Sequence, residues 1–92
     1  MRRRVDANQR EIVEALRQIG ARVWITSSLG GGFPELAVGH RGRTYLLEVK
    51  VPPIRLTPDE EGFHLAWRGQ VAIVTNVEEA MEVISHDPRI GY

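Results

Sequence analysis

Apolar residues fall into two periods along this chain, and the change from one to the other marks out its elements. Ile12, Leu16 and Ile19 recur at helical spacing. Asp6 stands before them as an N-cap, Gln9 completes a capping-box pattern and Gly20 is a plausible stop, so a first helix is expected over 7–19. Arg22 to Thr26, rich in β-branched and aromatic residues around Trp24, reads as a short strand. Ser27 to Phe33, with Gly30-Gly31-Gly32, is a loop, either a flexible connection or a backbone able to approach a ligand closely. From Glu35 the period becomes two. Glu35–His40 and Arg43–Val49 form a hairpin about Arg41-Gly42, with His40 opposite Arg43. Leu36, Val38, Tyr45, Leu47 and Val49 then share one face, and Glu35, Ala37, Gly39, Thr44, Leu46, Glu48 and Lys50 share the other. A slip of one residue would mix the two sets.

After Pro52-Pro53 the helical period returns. Thr57-Pro58-Asp59-Glu60 is a strong helix start, leading to about Trp67. Gln70–Thr75 reads as a short buried strand, and Asn76 caps a last helix to about Ser85 that buries Val77, Met81 and Ile84. Strand, helix and strand make a right-handed crossover, so the last strand should run parallel to the one carrying Glu48. The expected fold is α/β, with element order α-β-β-β-α-β and an extra C-terminal helix. Residues 1–92 form a single domain, 1–5 being a basic arm and 86–92 a tail.

Composition adds little until charge is mapped. The chain has 92 residues, no cysteine and a net charge of zero, which excludes disulfides and thiolate metal sites. With neither a long apolar run nor a signal peptide, a cytoplasmic protein that engages no membrane is expected. Yet residues 1–56 carry ten Lys/Arg against five Asp/Glu, and 57–92 carry two against seven. The basic half suits a polyanion.

The candidate chemistry lies on the polar face of the hairpin. Lys50 is the one lysine among twelve basic residues, two positions after Glu48. That suggests a site needing a compact ammonium, although a rim salt bridge would look the same. In the hairpin register Glu35 faces Glu48, with Cβ atoms about 4.5–5.5 Å apart. Like charges so placed call for an offset. A divalent cation supplies one; a carboxylate turned toward Arg43 or Arg55, or a bend at Pro34, is the alternative.

Pro34-Glu35, the Gly-rich loop before it and Gly42-Arg-Thr-Tyr-Leu-Leu-Glu-Val-Lys50 resemble the PD-(D/E)XK nuclease superfamily. The order of elements and most of the chain resemble its small stand-alone VRR-NUC domains, found in phages and bacteria and similar to Holliday-junction resolvases. The resemblance implies a restriction-endonuclease-like core with a mixed central sheet. It also implies Mg²⁺- or Mn²⁺-dependent cleavage of branched or duplex DNA by a homodimer, in the host cytoplasm if phage-encoded. Glu35, Glu48 and the Val49 carbonyl would hold the metal, and Lys50 would orient the attacking water. Glu35 departs from the usual aspartate. Members often add an acid from the first helix; that position falls on Gln9, and the nearest acid is Glu11. Ser27, Ser28 and Gly31, with Arg41, Arg43 and Arg55, would meet the DNA backbone. Glu60 and His64, one helical turn apart, could touch DNA or metal or simply line a solvated face. Asn8 is read as a buried cap or network residue. Tyr45, Trp24 and Trp67 could serve a dimer face or the core. The other reading of the chain is a catalytically silent DNA-binding module of a phage replication or recombination complex.

Overall fold

The computed structural model describes the backbone of residues 2–86 and the side chains of residues 6–86. Helix α1 spans Arg2–Gln18, and strand β1 Arg22–Ile25; a 3₁₀ turn at Ser27–Leu29 follows. Strands β2 (Leu36–His40) and β3 (Arg43–Val49) precede helix α2 (Pro58–Ala66), strand β4 (Val71–Val74) and helix α3 (Val77–Ser85). The four strands form one mixed sheet in the order β1-β2-β3-β4, antiparallel except where β3 meets β4. Fold class and strand directions are those expected of the sequence.

The hairpin register also holds, from Leu36 opposite Leu47 to His40 opposite Arg43. Its turn places both Arg41 and Gly42 at positive φ, 53° and 79°. This is the mirror-image turn that matches strand twist, and arginine accepts a strained angle to make it. The apolar face of the sheet is sealed: Leu36, Val38, Tyr45, Leu47 and Val49 join Ile12, Val13 and Leu16 of α1 and Ala80 and Ile84 of α3. Tyr45 is therefore core, its hydroxyl donating to the Ile84 carbonyl at 3.3 Å, and is not free to form a dimer face.

Four expectations need correcting. Helix α1 begins at Arg2, so Asp6 lies within it rather than capping it, and the backbone of 2–5 is helical. Nothing between Arg2 and Asp6 breaks a helix, and propagation costs little where no breaker intervenes. Ile19 is 47% exposed because the helix has ended: Ala21 N–H donates to Leu16 O and Gly20 N–H to Arg17 O, a Schellman closure on a glycine at φ 93°. Strand β4 buries only Val74, since it forms an edge of the sheet. Helix α3 fully buries Ala80 and Ile84, with Val77 and Met81 half-buried beside them. Of the expected tail, only His86 lies within the described residues.

Candidate active site

The polar side chains gather where β3 ends. Glu35 sits one residue before β2, and β1 extends the pairing to reach it: Thr26 N–H donates to Glu35 O at 2.7 Å, and its hydroxyl to Pro34 O at 2.7 Å. Continuing the ladder by one step brings Glu35 beside Glu48. From α1, Gln9 Nε2 donates to Glu35 Oε1 at 2.7 Å. The neighbouring Asn8 donates to Thr75 O at 2.8 Å and Lys50 O at 3.4 Å, tying the helix across the ends of β3 and β4. Two consecutive amides thus fix the site against the first helix.

Glu48 is the anomaly. It is 1% exposed, and neither carboxylate oxygen has a hydrogen-bond partner. The Lys50 ammonium stands 3.8 Å from Oε2 but only 2.8 Å from Glu60 Oε1. Burial first, then the negative charges of Glu60 and Glu35, push the Glu48 carboxyl up to about 7 against the pull of Lys50. Burial also raises Glu35, opposed by the Gln9 hydrogen bond and by Lys50. Burial works to raise Glu60 as well, but the hydrogen bonds from Lys50 and Thr57 hold it below its ordinary value. Stranding a carboxylate in this way is costly without a counter-charge or donors.

A divalent cation answers both deficits. Its hard charge suits oxygen donors, and buried carboxylate oxygens with no partner are the donors it takes. Among the described residues no three His, Cys, Asp or Glu side chains converge as a ready metal cluster. The candidate donor set is therefore Glu35, Glu48 and a backbone carbonyl. Val49 points its side chain into the core at 1% exposure, so its carbonyl is the group it could offer.

The other candidates separate by position. Gln9 is the helix residue that reaches the site; Glu11 is exposed and lines a groove with Asn8, Glu14, Val51 and Thr75. Ser27, Ser28 and Gly31 are exposed on the loop joining β1 to Glu35, at the same end of the sheet. Arg41 and Arg43 are not near the carboxylates. Arg41 lies in the hairpin turn and Arg43 begins β3 just after it, and five residues of strand at about 3.3 Å each separate Arg43 from Glu48. Arg41 instead borders a groove with Ile19, Val77 and Met81. Arg55 is exposed ahead of α2. His64 is half-buried with Nε2 unpartnered, edge-on to Phe63.

Glu60 is the site residue that a solvated-face reading of α2 misses. Thr57, Pro58 and Glu60 signal a capping box, and the box forms: Thr57 N–H donates to Glu60 Oε1 at 2.9 Å and Glu60 N–H to Thr57 Oγ1 at 3.2 Å. The same Oε1 takes Lys50. The available signal is a helix start so soon after the strand carrying Lys50, with a proline pair between them to turn the chain.

A solved structure of a VRR_NUC domain superposes on this chain with a TM-score of 0.75 and 25% identity, over 90% of this chain and 96% of that one. The chain has a VRR_NUC-like fold. This agrees with the resemblance carried by the Glu48-Val49-Lys50 strand. No family model and no curated protein matches the chain.

Proposed function

We propose that this protein is a metal-dependent DNA endonuclease that hydrolyses phosphodiester bonds in branched DNA, four-way junctions above all, with residues 1–92 forming a single domain that acts as a homodimer in the cytoplasm. One observation carries the reading: a carboxylate sealed from solvent with both oxygens unpartnered, an ammonium 3.8 Å away, in a VRR_NUC-like fold. Glu35, Glu48 and the Val49 carbonyl would hold the cation. Bound Mg²⁺ or Mn²⁺ would polarise the scissile phosphate and lower the pKa of a bound water. Lys50 places its ammonium to orient that water and to meet charge developing on the phosphoryl oxygens. Gln9 steadies Glu35 by its hydrogen bond, and Asn8 fixes the backbone at Lys50. Ser27, Ser28 and Gly31 lie where a DNA backbone entering this end of the sheet would pass. Arg55 adds charge near α2. Arg41 and Arg43 serve DNA only if the duplex runs the length of the hairpin.

Labelled four-way junction, flap and linear duplex, each incubated with Mg²⁺ or Mn²⁺ and with EDTA, test the reading. Metal-dependent cuts are expected, lost in Lys50→Ala and Glu48→Ala. Paired nicks confined to the junction identify a resolvase. Folded protein that binds DNA and cuts none of the three with either ion would instead favour a silent binding module.

A further inference from the structure

We infer that Glu60 is a positioning residue for Lys50: it holds the ammonium off Glu48 and so keeps the Glu48 oxygens open to a cation. The inference rests on the nuclease reading for its purpose, but its geometry stands independently. Lys50 Nζ has two acidic neighbours and sits 2.8 Å from Glu60 and 3.8 Å from Glu48, so the direct hydrogen bond goes to Glu60. Without Glu60, the nearest carboxylate for that ammonium is the unpartnered Glu48. Closing that pair would satisfy both groups and remove the donor a metal needs. An ammonium and a divalent cation compete for one carboxylate.

Glu60 is itself held firmly enough for the task. Its carboxylate is fixed at the helix start by Thr57 N–H. The turn that carries it is braced by the glycine-rich loop. Gly32 has φ 85°, and a Cβ there would collide with the Asp59 carbonyl and lie 2.9 Å from Glu60 N. No other residue fits so close an approach. The loop that leads into Glu35 therefore presses on the turn that aims Lys50, joining the two halves of the site through backbone contact.

Glu60→Gln separates helix capping from lysine holding, since glutamine at this position still completes a capping box but carries no charge for Lys50. Lys50 is the only lysine, so its ammonium gives a single side-chain ¹⁵N resonance with no ambiguity of assignment. In the metal-free full chain that signal should be sharp and slow to exchange with water, and in Glu60→Gln shifted and altered in exchange. Unchanged shift and exchange in the variant would overturn the inference. Mn²⁺ titration then reads its purpose. Glu60→Gln should weaken binding by about tenfold, the coupling expected of groups in contact, and should have no such effect in a Lys50→Ala background. An equal loss in both backgrounds would mean that Glu60 acts only through its own charge, and the inference fails. If the unaltered chain binds no Mn²⁺, the metal-dependent reading falls, and the resonance still decides whether Glu60 holds Lys50.

Discussion

Leu47 and Glu48 are consecutive residues of β3, both hidden from solvent at 0% and 1% exposure, and they do opposite things. Leu47 faces the helices, where burying its side chain contributes about 1.5–3 kcal/mol. Glu48 faces the other way, with two oxygens that nothing bonds. One strand thus places a stabilising residue and a destabilising one side by side. A fold tolerates the second because the first, with Val49, Val38 and Leu36, anchors the strand on its other face. Strain of this kind at a site is what function exploits.

Truncation should separate the two faces most sharply. Leu47→Ala leaves a cavity in the core and should cost about 2–5 kcal/mol, read by urea or thermal unfolding, with cleavage lost only as the fold is lost. Glu48→Gln should do the reverse. It removes a buried charge, so the metal-free protein should melt at a higher temperature at pH 8, while cleavage falls by about 10²–10³-fold or more. A lower melting temperature for Glu48→Gln would mean the carboxylate is satisfied by something other than a cation.

The next contrast is in pH. The folded state holds the Glu48 proton to about 7 against an ordinary 4.5, so folding is favoured at low pH and that advantage is lost as pH rises through this window. Glu35 shifts in the same direction and Glu60 in the opposite one, but the Glu48 shift is the large one. Metal-free protein should therefore melt lower at pH 8 than at pH 5.5, and Glu48→Gln should flatten that slope. Saturating Mg²⁺ or Mn²⁺ should invert it, because the cation binds the ionised form. At a hundred times its Kd the ion should add about 2.7 kcal/mol at pH 8. A melting temperature indifferent to both pH and cation would remove the physical ground for a metal site here.

The sequence discloses the two faces of β3 and hides what surrounds them. Alternation from Leu36 to Lys50 excludes a slip of one residue, which would turn Glu48 in among the leucines, and with the turn at Arg41-Gly42 it makes Glu35 beside Glu48 legible in the residues alone. Glu60 is not. Its capping box already accounts for a glutamate at that position, and nothing local reveals that one oxygen serves both Thr57 and Lys50. The start of α1 is hidden for the converse reason: Asp6 carries a cap signal that an unbroken helix simply runs through. Strand length alone puts Arg41 and Arg43, at the hairpin turn, far from Glu48.

The smallest expected effect probes the junction between the polar face and α1. Glutamate at position 35 is one methylene longer than an aspartate, and that reach brings Oε1 within 2.7 Å of Gln9 Nε2. Glu35→Asp draws the carboxylate back toward the strand and gives up that hydrogen bond. Gln9→Ala gives up the same bond from the other side. Each loses an interaction of about 0.5–1.5 kcal/mol, so each should slow cleavage by roughly two- to tenfold with the fold intact. The double variant should be no slower than the worse single one, because the second change finds nothing left to break. Losses that multiply would instead show Gln9 acting on its own, directly on the DNA or on a water, and would make it part of the polar face of β3 rather than its support.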